Sequence, residues 1–183
     1  FADTMRSRII SVFSDALATA KIPVLDLATR YSDLGDALLP VIMATFLVPN
    51  LPAMLEGHYG PLRVGAILVA INIRLSPREV AYILNHSGAK VLVFDAELAP
   101  TVRAIRDEIP GVSCFVQVVD VAPKADDIPG ADYESFLATA PAGDHRAELD
   151  SEKDTICINY TSGTTGMPKG VQYHARGAYL NAL

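Results

Sequence analysis

The sequence predicts an α/β fold in which a mainly parallel sheet is flanked by helices. Two observations support this prediction. Apolar runs rich in β-branched residues, at Lys90–Asp95 and Thr155–Tyr160, are continuous rather than alternating, as is typical of strands buried on both faces. Segments with helical periodicity separate the predicted strands. Strands that alternate with helices indicate parallel pairing through helical crossovers.

The best-defined predicted helix follows Leu75. Ser76 is a favourable N-cap, Pro77 suits the first helical position, and Glu79 completes a capping box with the serine. Gly88 provides the expected end. The apolar stripe of this helix consists of Val80, Ile83 and Leu84.

The other predicted elements are less sharply bounded. Residues 62–75 contain a helix end and then a short strand, and a further helix ends before Pro110. A strand is predicted over Val112–Val121, followed by a loop-rich excursion over Ala122–Asp150 with one short helical piece. The pattern over Arg6–Ala20 suits an amphipathic helix.

Composition excludes several classes of protein. The chain has 183 residues, enough for about one domain, and half of them are hydrophobic. A net charge of −6 without any basic run argues against nucleic-acid binding, which requires clustered positive charge. The most apolar segment, Ala37–Leu55, is interrupted by three prolines and predicts no membrane span. The first residues do not resemble a signal peptide, so we expect a cytoplasmic protein.

The cysteines and histidines suggest no metal site. Cys114 and Cys157 each lie within a strand-like run, which indicates buried free thiols in a reducing compartment rather than a disulfide. The four histidines are scattered, and no pair has the spacing of helical metal ligands.

The segment from Thr161 to Gly170, "TSGTTGMPKG", is the strongest functional signal. It combines flexible glycines with hydroxyl hydrogen-bond donors and a positively charged lysine. It also follows a predicted strand. Lys169 adds a mobile cation, Pro168 stiffens the approach to it, and a helix predicted to begin near Val171 would direct its N-terminus to the same place. The glycines that let N–H groups turn inward are Gly163, Gly166 and Gly170. The hydroxyl donors are Thr161, Ser162, Thr164 and Thr165. Together they predict a cradle for a polyphosphate.

Other interpretations of this segment are weaker. A Walker A loop requires Ser or Thr after its lysine, and here Gly170 follows Lys169. The G-x-G-x-x-G pattern of dinucleotide sites is absent. Ser162 lacks the glycine two positions earlier that a nucleophile elbow requires. The short piece "SGTTG" alone would also suit a flexible surface turn.

The run "YTSGTTGMPKGV" resembles the phosphate-binding signature of the adenylate-forming enzymes, which include acyl-CoA synthetases, adenylation domains of peptide synthetases and luciferases. Val48–Asp95 looks like the early α/β region of that family. Asn159–Leu183 is most similar to its medium-chain fatty acyl-CoA ligase branch. The resemblance implies part of the large N-terminal domain, with residues 1–45 as an atypical lead-in, 46–121 as the early α/β region, 122–150 as the loop-rich excursion and 151–183 carrying the loop.

The resemblance also implies an activity. A carboxylate attacks the α-phosphate of Mg-ATP to give an acyl-adenylate, and coenzyme A then displaces AMP to form a thioester. ATP, Mg²⁺ and coenzyme A are therefore the implied cofactors, and a small-molecule carboxylate is the implied partner. The residues implied to hold the β- and γ-phosphates are Thr161, Ser162, Gly163, Thr164, Thr165, Gly166 and Lys169. Thr161 is also the implied magnesium contact, and no residue is assigned a catalytic role.

Two departures from the family pattern limit this inference. Many relatives have a His-Arg pair after the loop, whereas this chain has Ala175 and Arg176, with His174 one position early. The chain also ends at Leu183, before the family's adenine-binding and acyl-binding segments. We therefore expect the chain alone to be inactive and to self-associate through exposed apolar surface. The alternative is a non-catalytic remnant that at most binds polyphosphate or a partner chain.

Overall fold

The computed structural model describes residues 43–63, 65–138, 151–161 and 166–183. The helix predicted over Arg6–Ala20 lies outside these residues. The strands are β1 (Met43–Leu47), β2 (Ile67–Ala70), β3 (Val91–Asp95), β4 (Cys114–Val118), β5 (Ala131–Asp132), β6 (Thr155–Thr161) and β7 (Lys169–His174). The α-helices are α1 (Pro52–Arg63), α2 (Pro77–Ser87), α3 (Ala99–Ile105), α4 (Tyr133–Ala138) and α5 (Ala175–Asn181). Short 3₁₀ turns cover Ala96–Leu98 and Arg106–Glu108.

The strands form one sheet in the order β5-β4-β3-β1-β2-β6-β7. Every pairing between the described strands is parallel except that of β6 with β7, which is antiparallel. The prediction of a mainly parallel sheet is thus confirmed. β6 lies beside β2 although β3, β4 and β5 intervene in the chain.

Helices cover both faces of the central sheet. On one face, buried residues of α2 and α3 pack against alternate residues of the strands, including Leu92 and Phe94 of β3. On the other face, α1 and α4 pack against Phe46 of β1 and Val93 of β3. Because both faces are buried, the central strands need apolar residues at successive positions, as the sequence showed.

Helix α2 begins and ends as predicted. The Ser76 side chain accepts a hydrogen bond from the backbone N–H of Glu79, and the Glu79 carboxylate accepts one from the backbone N–H of Ser76 at 2.8 Å. Gly88 takes the left-handed conformation at φ 71°, which a glycine adopts without steric cost. The hydrogen bond from the Ser76 side chain lowers the pKa of Glu79.

The strand predicted over Val112–Val121 is shorter than expected, because β4 ends at Val118. Beyond that point Val119 and Val121 are exposed. The chain then enters a surface excursion that Gln117 anchors. Its buried side-chain amide donates to the carbonyls of two residues of the excursion and accepts from one backbone N–H, at 2.8–3.2 Å. The partners are Ala125 and Ile128.

Gly130 precedes β5 within this excursion and has a conformation that requires glycine. Its φ is 131°, and an added Cβ would lie 2.0 Å from the backbone oxygen of Phe115. The short helix predicted farther along the excursion is confirmed as α4. Residues 139–150 of the predicted excursion lie outside the described residues.

Two further predictions can be compared with the described ranges. Cys114 and Cys157 are free thiols, as predicted, but both are half-buried rather than buried. This partial burial raises the pKa of both. In the part of the chain that the structure covers, no helix is both long and apolar enough to cross a membrane. Met43–Leu47, from the most apolar segment of the sequence, is a buried strand of the sheet.

Candidate functional site

The described ends of the predicted phosphate-binding segment are the end of β6 and the start of β7, where the two strands of this hairpin are connected. β6 runs parallel to β2, with Val69 paired to Ile158, and then pairs with β7 in the antiparallel direction. The last pair in this ladder is Thr161 with Lys169. Thr161 and Lys169 therefore lie at the carboxyl edge of the sheet. Ligands of open α/β sheets bind at that edge.

The structure describes three of the seven predicted phosphate-binding residues. Thr161 is the exposed last residue of β6, and Lys169 is the exposed first residue of β7. Gly166 is exposed, and an added Cβ would meet no atom within 4 Å. The structure thus places a hydroxyl-bearing residue and a lysine at paired positions. Four predicted residues lie outside the described ranges, namely Ser162, Gly163, Thr164 and Thr165.

The prediction of a helix beginning near Val171 is wrong. β7 continues to His174, and α5 begins only at Ala175. A helix N-terminus therefore does not directly follow the loop. The segment pairs with β6 instead, because its β-branched and aromatic residues favour a strand in that setting. The run Val171–Gln172–Tyr173 carried this signal.

The residues where β7 ends and α5 begins have structural partners. The Nδ1 atom of His174 accepts a hydrogen bond from the backbone N–H of Gly177 at 2.9 Å and so caps α5. Arg176 donates to the carboxylate of Glu152 at 2.9 Å, and its backbone N–H donates to the carbonyl of the same residue at 2.8 Å. Both side chains therefore hold the start of α5 in place.

Sequence reasoning missed a contact at the base of the loop. The hydroxyl of Tyr160 lies 2.8 Å from Nδ1 of His86, which is in the last turn of α2. The ring of Tyr82 stacks on His86 with centroids 5.2 Å apart. The sequence places His86 at the end of a surface helix, and it is exposed there. Local sequence carries no signal for this pairing, because 74 residues separate the two partners.

We compared the sequence of the chain with those of known protein families. The sequence profile of the family described as AMP-binding enzyme matches residues 43–183. The chain belongs to this family.

Individual members of the AMP-binding enzyme family are similar to the chain. It is 37% identical over 143 residues to the 4-hydroxybutyrate–CoA ligase 2 of Metallosphaera sedula, covering 76% of this chain and 26% of that protein. It is 39% identical over 158 residues to the 3-methylmercaptopropionyl-CoA ligase of Ruegeria pomeroyi, covering 83% of this chain and 29% of that protein. The chain thus spans between a quarter and a third of the length of these relatives.

A solved structure supports the same assignment. The crystal structure of an anthranilate CoA ligase in complex with anthranoyl-AMP matches with a TM-score of 0.67 and 25% identity. The match covers 87% of this chain and 29% of that chain. The parallel sheet with flanking helices is therefore a fold that this chain shares with adenylate-forming CoA ligases.

This member of the AMP-binding family exposes apolar side chains around the hairpin. All six residues of β7 are exposed, and neighbouring large apolar residues are exposed as well. Those with the greatest exposure in this region are Tyr179, Leu180 and Leu183. Exposed apolar side chains favour contact with other polypeptide when they form a patch. Self-association of the chain remains a prediction.

Proposed function

We propose that this chain supplies the triphosphate-binding part of an ATP-dependent acyl-CoA ligase. In the proposed reaction a carboxylate attacks the α-phosphate of ATP, which gives an acyl-adenylate and pyrophosphate, and the thiol of coenzyme A then displaces AMP. The observation that carries this proposal is the pairing of Thr161 with Lys169 at the carboxyl edge of the sheet. Family membership and the names of the relatives support the same activity.

The donor set suits a polyphosphate. Lys169 brings a positive charge on an exposed side chain, and Thr161 brings a hydroxyl donor. Gly166 leaves room for close approach of the ligand to the backbone. In the proposed role these groups stabilise charge as it develops on the departing pyrophosphate. The remaining donors proposed for the cradle are Ser162, Gly163, Thr164 and Thr165.

Magnesium is the proposed companion of ATP. Mg²⁺ usually binds phosphate oxygens and waters together with only one or two protein groups. A single hydroxyl such as that of Thr161 fits that requirement. When bound, the ion would supply neutralising charge to the phosphate oxygens. Within the described ranges no group of three or more His, Cys, Asp or Glu side chains could hold a metal.

The substrate proposed for the complete enzyme is a medium-chain or small substituted carboxylate. The medium-chain branch resemblance of Asn159–Leu183 supports this choice, and so do the names of the 4-hydroxybutyrate and 3-methylmercaptopropionyl relatives. Coenzyme A is the proposed thiol acceptor. We propose neither a nucleic-acid partner nor a membrane partner, and the cytoplasmic location remains a prediction.

Titration calorimetry with ATP tests the phosphate-binding role. The purified chain is compared with Lys169→Ala and with Lys153→Ala, whose exposed lysine lies in the turn before β6. Because charge-assisted hydrogen bonds contribute about 1.5–3 kcal/mol, Lys169→Ala should weaken ATP binding about tenfold or more. Lys153→Ala should bind like the unmodified chain. Equal affinities for all three proteins, or no binding by a chain that circular dichroism shows to be folded, would overturn the proposal.

The same preparation separates binding from turnover. The chain alone is expected to give no ATP–pyrophosphate exchange, since it spans less than a third of either relative. Measurable exchange would contradict that expectation while supporting the ligase assignment. ATP binding without exchange also agrees with a non-catalytic polyphosphate-binding chain. A polypeptide extended to the length of the relatives would distinguish the two, because only the ligase would form a thioester.

A further inference from the structure

The aromatic side chain of Tyr160 packs between the two strands next to the loop. Tyr160 pairs with Gly170, one position before the final pair of the ladder. A Cβ added to Gly170 would lie 3.3 Å from Cζ of Tyr160 and 3.1 Å from Cγ2 of Ile158. The ring of Tyr160 therefore lies against the backbone of the opposite strand. An aromatic side chain packed on a cross-strand glycine stabilises an antiparallel pair.

The side chain of Tyr160 also contacts helix α2 through His86. Its hydroxyl shares a 2.8 Å hydrogen bond with Nδ1 of His86, and the two rings meet edge to face with centroids 5.8 Å apart. Tyr82, one turn earlier on α2, stacks on the ring of His86. Burial raises the pKa of the Tyr160 phenol.

Helix α2 is a firm anchor for this contact. It has a complete capping box at Ser76 and a glycine C-cap at Gly88. Its stripe of buried residues includes Ile83 and Leu84, both at most 1% exposed. Strand β7, by contrast, is exposed along its whole length. Tyr160, which lies in β6 and packs on Gly170 of β7, therefore connects the exposed strand β7 to helix α2.

We propose that Tyr160, held by His86, is a positioning residue that fixes the separation of Thr161 and Lys169 for a triphosphate. This inference rests on the function proposed above. Tyr160 contacts no ligand in this role. It acts through the two strands, because displacement of its ring would release the base of the hairpin where Thr161 and Lys169 begin the loop.

Matched variants and two measurements test this role. Tyr160→Phe removes only the hydroxyl, and His86→Ala removes its partner. Tyr173→Phe, an exposed tyrosine of the same hairpin, is the matched control. The first measurement is the affinity of the purified chain for inorganic tripolyphosphate. The second is hydrogen exchange at the backbone amides of β6 and β7.

The hydrogen bond is partly exposed, so we expect modest effects of the size that one such bond produces. Tyr160→Phe and His86→Ala should each weaken tripolyphosphate binding about three- to tenfold. The double variant should be no weaker than His86→Ala alone, because that change already removes the hydrogen bond that Tyr160→Phe removes. His86→Asn, whose side-chain amide can place its oxygen or nitrogen near the position of Nδ1, should recover part of the loss. A role limited to general stability would not give this recovery.

The outcomes separate the two proposals. If the unmodified chain binds no tripolyphosphate, the phosphate-binding function fails. Faster amide exchange at the hairpin in Tyr160→Phe and His86→Ala would then still support the tether. If the chain binds tripolyphosphate and both variants match Tyr173→Phe in affinity and exchange, the positioning role is overturned and the function stands. Additive losses in the double variant would also overturn it.

Discussion

The centre of the sheet and its β6–β7 edge are built in different ways. Every residue of β3 is buried, and so are four of the five residues of β1. In contrast, all six residues of β7 are exposed. The centre is held by many apolar contacts on two faces, whereas β7 is held by its ladder with β6 and by contacts such as that of Tyr160 with Gly170. Binding segments are commonly drawn from the less stable parts of a fold.

The largest expected difference comes from truncating a side chain in the centre. Phe94→Ala removes a fully buried ring from β3. It should lower the free energy of unfolding by about 3–5 kcal/mol. Val171→Ala, at a 42% exposed position of β7, should change it by less than about 1 kcal/mol. Urea denaturation followed by circular dichroism measures both. Similar losses for the two variants would show that the hairpin is as tightly integrated as the centre.

The next largest expected difference in stability is between alanine substitutions at Gly130 and at Gly166. Gly130→Ala forces a Cβ toward the backbone of Phe115 at a positive φ, so it should lower the free energy of unfolding by at least about 1–3 kcal/mol. Gly166→Ala adds a Cβ into open space and should leave the thermal midpoint unchanged. The test is differential scanning calorimetry of both variants. A lower midpoint for Gly166→Ala would reveal packing around the loop.

The smallest expected effect concerns the charged cap that holds α2, the anchor of the hairpin. The folded-state pKa of Glu79 is lowered below its ordinary value of 4.5, chiefly by the Ser76 side chain. Its carboxylate therefore stabilises the fold above pH 4.5, and this contribution is lost as the pH falls through the folded pKa. Glu79→Gln should thus be less stable than the unmodified chain at pH 7, with the difference shrinking toward pH 3. Thermal melts across this range provide the measurement, and a constant difference would contradict the expectation.

The sequence predicted features that depend on neighbouring residues. Adjacent residues in the sequence were enough to predict three elements: the capping box of α2, the buried strand β3 and strand β6 before the loop. The length of β4 was overestimated, because Val119 and Val121 are apolar yet exposed. The anchoring of the following excursion by Gln117 depends on partners that only the folded chain brings together.

The hairpin was predicted less completely than the sheet. The loop was located by composition, but the helix predicted to begin near Val171 is strand β7, which pairs with β6. The contact between His86 and Tyr160 requires β6 to lie beside β2. Nothing in the local sequence of either residue specifies that neighbour. The roles of Ser162–Thr165 remain predictions from the sequence.

The position of β6 in the sheet has a consequence for biosynthesis. A ribosome delivers β2 long before β6, because the residues of β3, β4 and β5 emerge between them. Until Thr155 and the residues after it leave the exit tunnel, one side of β2 has no hydrogen-bonding neighbour from the completed sheet. Unpaired strand edges promote aggregation of nascent chains. We therefore expect chaperone dependence of this protein to fall sharply once β6, through Thr161, has left the exit tunnel.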